Sequence, residues 1–191
     1  MNHTRFVTGT GTDVGKTMVS ALLTLKFGAN YFKPIQSGSP TDSDLIRSLI
    51  GSERVFDEDY LLTSPLSPNQ AAQAEGRRIE ISRISVSEKI NKGRLIVEGA
   101  GGVLSPINES ETIVDLIAFL KLTTILVARS ELGTLTHTLQ SVNALEDRRI
   151  PISCIILFGK PNSLNQMDLQ NRTCISTFHY SDIKNLSWEL I

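Results

Sequence analysis

The glycine-rich segment at residues 6–17, FVTGTGTDVGKT, restricts the fold more than any other part of the chain. A strand-like run leads into the glycines, and the Gly-Lys-Thr at the end opens the helical run 18–27. Glycines allow backbone N–H groups to curl around phosphate oxygens, and the N-terminus of the next helix adds its positive end. In such a loop Lys16 reaches the β- and γ-phosphates, and the Thr17 hydroxyl binds Mg²⁺. The segment therefore predicts a phosphate-binding loop for a nucleoside triphosphate.

The spacing of this loop departs from the usual pattern. Five residues separate Gly9 from Gly15, whereas four residues usually stand between the first glycine and the Gly-Lys pair. Thr10 occupies the position of that usual first glycine. Because the strand, loop and helix context is kept, the segment indicates a variant class of phosphate-binding loop rather than a chance turn.

Length and composition exclude several classes of protein. At 191 residues and 40% hydrophobic content, the chain suits a single α/β domain spanning residues 1–191. The formal net charge of -1 argues against a nucleic-acid partner, since no basic excess is available to neutralise phosphates. The sequence contains no long apolar run and no secretory signal pattern, and Cys154 and Cys174 lack metal-ligand spacing. We therefore expect a cytoplasmic protein with reduced thiols and no membrane partner.

Short strand-like runs alternate with helical patterns along the chain. This alternation predicts an α/β, P-loop NTPase-like fold, with a mostly parallel central sheet and helices on both faces. The predicted strands are 5–10, 31–34, 94–98, 124–128, 152–158 and, more weakly, 173–178. The predicted helices begin at Lys16, Asp42, Val86, Thr112 and Thr134, and a closing helix is expected over 181–191. The Pro- and Ser-rich stretch 57–78 is interpreted as a loop region over the active face.

An acidic residue follows the apolar strand pattern at 95–97. Glu98 ends this run and is followed by the glycine-rich stretch 99–102. In parallel α/β sheets ligands bind at the carboxyl ends of the strands, so we expect Glu98 to face the same crevice as the phosphates. A carboxylate there can hold Mg²⁺ directly or through water.

A lysine and two aspartates follow the second strand pattern. Lys33 would add a second cation near the γ-phosphate, where charge stabilisation drives phosphoryl transfer. Asp44 is a candidate Mg²⁺ ligand, and Asp42 is interpreted as a helix-capping residue. From the residues alone, a solvated lysine and two capping acids explain this segment about equally well.

Together these motifs resemble the dethiobiotin synthetases. The matching segments are 9–17, 31–38, 42–44 and 97–102, with weaker matches at 66–69, 75–77 and 132–138. The resemblance covers about residues 5–145. It implies an ATP-dependent ligase that joins CO2 to 7,8-diaminononanoate and closes the ureido ring of dethiobiotin, releasing ADP and phosphate. A carbamate and a carbamic-phosphoric anhydride are the implied intermediates, and a homodimer is the implied assembly.

The resemblance also implies roles for individual residues. Lys16 and Lys33 are the implied catalytic residues, bracketing the γ-phosphate and the substrate carbamate. The implied Mg²⁺ ligands are Thr17, Asp44 and Glu98. The implied ATP-binding residues are Thr12, Asp13, Val14, Gly15, Lys16, Thr17, Met18 and Glu98. The implied substrate-binding residues are Thr12, Lys33, Ser37, Gly101 and Gly102.

Two positions depart from the family pattern. Thr136 replaces an asparagine that binds the carboxylate tail of the substrate from the partner subunit in relatives. The segment 157–160, LFGK, stands where relatives carry an asparagine that reads the nucleotide base. The residues therefore leave the base preference and the tail pocket open.

Other nucleotide-binding classes fit the sequence less well. A regulatory ATPase of the ParA/MinD type needs a second lysine early in its loop, where this chain has Thr8, Thr10 and Thr12. A small-molecule kinase usually has an arginine-rich lid, for which Arg77 and Arg78 are weak candidates. A cobyrinate-type amidoligase carries an additional glutamine-hydrolysing domain, for which the chain has no room.

Overall fold

A six-stranded parallel sheet forms the centre of the computed structural model, which describes residues 3–191. The strands of the main sheet lie in the order β2-β5-β1-β6-β7-β8, and every neighbouring pair is parallel. They are β1 Thr4–Gly9, β2 Asn30–Phe32, β5 Leu95–Glu98, β6 Thr123–Arg129, β7 Ile152–Phe158 and β8 Thr177–His179. A second, two-stranded parallel sheet pairs β3 Ile35–Ser37 with β4 Tyr60–Leu62.

Helices cover both faces of the main sheet. They are α1 Lys16–Phe27, α2 Asp42–Ile50, α3 Pro68–Ala74, α4 Ser87–Ile90, α5 Ile113–Leu120, α6 Thr134–Asp147 and α7 Ser163–Thr173. Adjacent strand residues belong to two separate buried clusters: Phe6 packs in one, and Val7 packs in the other with residues of α1 and α2. Because both faces are buried, the central strands are apolar throughout instead of alternating with polar residues. The prediction of a parallel α/β fold is therefore confirmed.

The structure differs from the predictions where elements are short or polar. The stretch 57–78 contains β4 and α3, because Tyr60 and Leu62 are buried and Pro68 stands in the first turn of a helix. α7 was not predicted, because Leu169 is its one fully buried residue among those described. Since α7 extends to Thr173, the last strand begins at Thr177 instead of at residue 173.

The predicted closing helix over 181–191 is wrong. Two 3₁₀ turns, Tyr180–Asn185 and Trp188–Leu190, occupy this segment. Four buried residues of this segment pack in the cluster that contains Val19 and Leu23 of α1; they are Ile183, Leu186, Trp188 and Ile191. Within residues 3–191, no helix has both the length and the apolar character needed to cross a bilayer.

The parallel topology brings the carboxyl ends of β1, β2, β5, β6 and β7 to one edge of the sheet. β1 lies between β5 and β6, so the loop that follows Gly9 lies between the ends of these two strands. Binding sites of open parallel sheets are formed at this edge. The motifs found in the sequence therefore meet at one place in the structure.

Candidate functional site

The loop between β1 and α1 has the backbone geometry of an anion-binding turn. Asp13 and Gly15 both have positive φ angles, 56° and 97°. A Cβ atom at Gly15 would lie 2.3 Å from Cγ of Phe158, so only glycine fits there. α1 begins directly after Gly15 without a side-chain cap, which leaves its first N–H groups available to a phosphate.

A cavity of about 800 Å³ opens beside this loop. It is lined by ten of the residues predicted for the site: Thr12, Asp13, Gly15, Lys16, Thr17, Met18, Lys33, Ser37, Glu98 and Gly101. Val14 does not line it, because its side chain is buried against Gly9 in the core. Gly102 packs against the backbone of Gly11 and borders a neighbouring cavity of about 350 Å³. The cavity thus brings together most of the residues that the sequence singled out.

Glu98 is the most deeply buried charged group at the cavity. It is fully buried at the end of β5, yet each of its oxygens has partners. Oε1 accepts a hydrogen bond from the Thr17 hydroxyl at 3.0 Å and one from Lys33 Nζ at 3.2 Å. Oε2 accepts a hydrogen bond from the Tyr31 hydroxyl at 3.1 Å. A buried charge of this kind is tolerated only when it is paired.

Lys33 lies between two carboxylates. Its ammonium group forms ion pairs with Glu98 and with Asp42. Burial by itself lowers the pKa of Lys33, but the two carboxylates outweigh this effect and raise the pKa above its ordinary value. Lys33 is therefore a buried cation, and the alternative of a solvated surface lysine is wrong.

The two aspartates at the start of α2 have the reverse of their predicted roles. Asp44 accepts a hydrogen bond from the Thr41 backbone N–H, and the Thr41 hydroxyl accepts one from the Asp44 N–H at 3.0 Å, which completes a capping box. Asp44 also pairs with Arg47, and its side chain is 60% exposed. Asp42 instead lines the cavity beside Lys33. The structure thus corrects the prediction that Asp44 faces the metal site and Asp42 caps the helix.

Lys16 turns back onto its own loop. Its Nζ donates a hydrogen bond to the Gly11 carbonyl at 2.8 Å, and the residue is 7% exposed. Burial lowers the pKa of Lys16 to about 8, and the nearby Glu98 opposes this shift only in part. The ammonium group therefore lies at the cavity with little hydration by water. An anionic ligand bound there would stabilise its positive charge.

Tyr31 and Gln36 are among the contributors to the site that were not predicted from the sequence. The Tyr31 hydroxyl donates to Glu98, and burial, with a contribution from Glu98, raises the pKa of Tyr31 well above its usual range. Gln36 accepts a hydrogen bond from the Asp42 N–H at 3.3 Å and donates one to the Ser37 carbonyl at 3.0 Å. The sequence did contain an indication of the role of Asp42. Thr41 and Asp44 have capping-box spacing, which assigns Asp44 to the cap and leaves Asp42 available for the cavity. For Tyr31 there was no such signal.

The donor set fits Mg²⁺ bound together with phosphates. Residues 3–191 contain no group of three or more His, Cys, Asp or Glu side chains that would form an all-protein metal site. Mg²⁺ usually takes one or two carboxylates and completes its shell with water and substrate phosphates. The Thr17 hydroxyl, the Glu98 carboxylate and the Asp42 carboxylate at this cavity are ligands of that kind.

The chain is similar to several known proteins. Residues 3–185 match the family model described as an AAA domain. The chain is 43% identical over 168 residues to the ATP-dependent dethiobiotin synthetase BioD of Paramagnetospirillum magneticum, covering 87% of this chain and 81% of that protein. It is 36% identical over 190 residues to the protein of the same name from Cytophaga hutchinsonii, covering 97% and 92%. Among solved structures, a ParA family ATPase from Chlorobium tepidum aligns over 100% of this chain and 92% of its own, with a TM-score of 0.60 and 14% identity.

Proposed function

The chain belongs to the ATP-dependent dethiobiotin synthetases, enzymes of biotin biosynthesis, and we propose that it joins CO2 to 7,8-diaminononanoate with consumption of ATP. The proposed products are dethiobiotin, ADP and phosphate. The observation that carries this proposal is the position of Lys33 between Glu98 and Asp42, beside the Thr17 hydroxyl. Lys16 is also buried, so two buried lysines line one cavity at the end of the phosphate-binding loop.

The proposed reaction needs no side-chain nucleophile. One amine of the substrate combines with CO2 to form a carbamate, whose oxygen attacks the γ-phosphorus while the bond to the leaving ADP oxygen breaks. The second amine then attacks the carbonyl carbon of the resulting carbamic-phosphoric anhydride, and phosphate leaves as the ring closes. The residues act by position and charge, which are the main sources of catalysis in phosphoryl transfer.

Residues at the cavity have a role in each step. Lys16 holds the γ-phosphate, and Lys33 holds the carbamate and the oxygens of the transferring group, where negative charge builds up. Thr17, Glu98 and Asp42 would hold Mg²⁺, which would neutralise phosphate charge. Asp42 here takes the role that the sequence suggested for Asp44, since its carboxylate lines the cavity.

The remaining contacts in the proposal follow the cavity lining. The nucleotide contacts the loop and the first turn of α1, through Thr12, Asp13, Gly15 and Met18 at the cavity and through the backbone of Val14. The diamine end of the substrate contacts Thr12, Lys33, Ser37, Gly101 and Gly102. Gly102 and Thr12 support this part of the proposal because both border the second cavity, which continues beyond the phosphate-binding loop.

The proposal includes a homodimer located in the cytoplasm, with the chain acting as a single domain. Support for the dimer comes from Leu104 and Leu132, apolar side chains that are 59% and fully exposed. Both border the small cavities that adjoin Gly11 and His137. In this proposal the two leucines form the apolar part of the subunit interface.

A direct assay distinguishes this proposal from the alternatives. The protein is incubated with the diamine, ¹³C-bicarbonate and MgATP, and the labelled cyclic urea is sought by mass spectrometry. A small-molecule kinase would give a phosphorylated compound without a labelled ring, and a regulatory ATPase would release phosphate without any need for the diamine. Lys16→Ala serves as the matched inactive control. Absence of the labelled ring with the unmodified protein would refute the proposed function.

A further inference from the structure

The Tyr31 hydroxyl contacts the one oxygen of Glu98 that the other site residues leave free. It lies 3.1 Å from Oε2, whereas Thr17 and Lys33 both contact Oε1. We propose that Tyr31 is a positioning residue for the metal site: it fixes the Glu98 carboxylate so that Oε1 is directed towards Mg²⁺. This inference rests on the magnesium site of the proposed function.

The sheet register explains how a residue on another strand reaches Glu98. β2 pairs with β5 in parallel, and Tyr31 lies opposite Ile96. Glu98 lies two residues further along β5 and on the same face, because strand side chains alternate. Two residues of strand span about 6.6 Å, a distance that a tyrosine side chain bridges when it lies along the strand. Tyr31 is therefore placed to reach this carboxylate by the backbone itself.

Burial makes the contact rigid. Tyr31 and Glu98 are both fully buried, and the tyrosine ring packs in the cluster that contains Ile46 and Ile96. A close-packed ring has little freedom to move away from its partner. The neighbouring residue Phe32 packs in the cluster on the opposite face of the sheet, so it has no access to the carboxylate.

The chemistry of the carboxylate explains why the hydroxyl matters. Oε2 of Glu98 is a buried acceptor, and without a donor it would lose hydrogen bonding that water supplies in the unfolded chain. The carboxylate could then rotate about its bond to Cγ, so that neither oxygen would be held in the direction that Oε1 has here. Donors that orient a metal-binding side chain in this way typically change metal affinity by about 10- to 100-fold when removed.

The test measures metal binding directly. Binding of Mg²⁺ is followed by isothermal titration calorimetry with the full chain saturated with a non-hydrolysable ATP analogue. Tyr31→Phe should weaken Mg²⁺ binding about tenfold. Tyr60→Phe is the matched control, because it removes a buried hydroxyl that contacts only the backbone of Glu80. It should leave Mg²⁺ binding unchanged.

The outcomes separate this inference from the function on which it rests. Unchanged Mg²⁺ binding in Tyr31→Phe, or an equal loss in Tyr60→Phe, would overturn the positioning role while leaving the proposed function intact. Absence of Mg²⁺ binding by the unmodified complex would refute the metal site itself. Tyr31→Met, which also lacks the hydroxyl, carries the same expectation if the phenylalanine variant does not fold. Failure of both variants to fold would assign the hydroxyl to the stability of the core and would also overturn the inference.

Discussion

Lys33 and Asp42 form a partly buried ion pair in the wall of the cavity. The Lys33 side chain is 6% exposed and that of Asp42 33%, so the pair lies where the core meets the binding site. Burial alone raises the pKa of Asp42, but Lys33 and the Thr17 hydroxyl outweigh this effect and hold the pKa below its ordinary value. Asp42 is therefore ionised at neutral pH and available to a cation.

The first prediction concerns the two aspartates of α2. Asp42→Asn should lower kcat/KM by more than about tenfold, because it removes a carboxylate from the proposed metal site. Asp44→Asn is the matched control, since its carboxylate faces solvent in the capping box. It should lower the melting temperature slightly and leave kcat unchanged. The opposite pattern in steady-state kinetics would restore Asp44 as the metal ligand.

The second prediction concerns Lys33. Lys33→Gln should mainly lower kcat while ATP still binds, because the charge that Lys33 stabilises develops after binding. The same variant leaves Glu98 buried without its cation, which typically lowers the free energy of unfolding by about 3–5 kcal/mol. Added Mg²⁺ should restore part of this loss by supplying positive charge at the same place.

The stability change is measured by urea unfolding with and without Mg²⁺. Lys184→Gln is the control, because Lys184 is exposed and does not line the cavity. Normal kcat and unchanged stability in Lys33→Gln would contradict the role proposed for the buried lysine.

The third prediction tests the phosphate-binding loop. Thr17→Val keeps the shape of the side chain but removes the hydroxyl that contacts Glu98, so activity should fall more than about tenfold with the fold intact. Thr17→Ser keeps the hydroxyl and should retain most of the activity. Lys16→Ala should cost about 3 kcal/mol or more in the reaction barrier through lost stabilisation of the γ-phosphate. Kinetics near those of the unmodified protein in Thr17→Val or Lys16→Ala would remove the assignment of the loop.

The central strands were predictable because they are apolar runs buried on both faces, and two of them, β1 and β5, lead into glycines. The loop before Lys16 and the glycines after Glu98 identified the two strand ends that form the site. Parallel topology then required these ends to meet at one edge of the sheet, as the structure confirms.

Side-chain direction at the start of α2 was harder to predict. Asp42 and Asp44 differ by two residues, and helix residues at this separation point to different sides. Which of them faces the cavity depends on where the helix begins, and sequence patterns define helix ends poorly. The contact of Tyr31 with Glu98 depends on the pairing of β2 with β5, strands about sixty residues apart in the chain. Local patterns contain no information on such pairing.

The fourth prediction concerns the two cysteines. Cys174 is exposed, whereas Cys154 is fully buried in β7 and burial raises its pKa to about 12. Because alkylation requires the thiolate, iodoacetamide at pH 8 should label only Cys174 in the native protein and both thiols after unfolding. Because the thiol of Cys154 ionises at lower pH in the unfolded chain than in the folded protein, the free energy of unfolding should decrease as the pH rises from about 9 towards 12. Mass spectrometry of native Cys174→Ser should find no label; labelling of Cys154 there would contradict its burial.

The last prediction concerns the nucleotide base. Discrimination between bases needs a buried polar group that pairs with one base edge and is left unpaired by another. Phe158 stands at the end of β7, lines the cavity, and packs against Tyr180 with ring centroids 4.7 Å apart. The nearby His179 is already engaged, since its ring nitrogens lie 2.8 Å from the Gly159 carbonyl and 2.7 Å from the Ser181 hydroxyl. An aromatic surface packs on any purine, so we expect relaxed selectivity.

ATP and GTP should therefore support turnover within about tenfold in kcat/KM, which corresponds to about 1.4 kcal/mol of discrimination. The measurement is a side-by-side comparison of ATP, GTP and CTP at saturating diamine and Mg²⁺. Phe158→Asn introduces an amide at the same strand end and should increase the preference for one purine over the other. A preference of the unmodified protein for ATP above about a hundredfold would contradict the prediction, because it would require backbone groups near residues 177–180 to read the base edge.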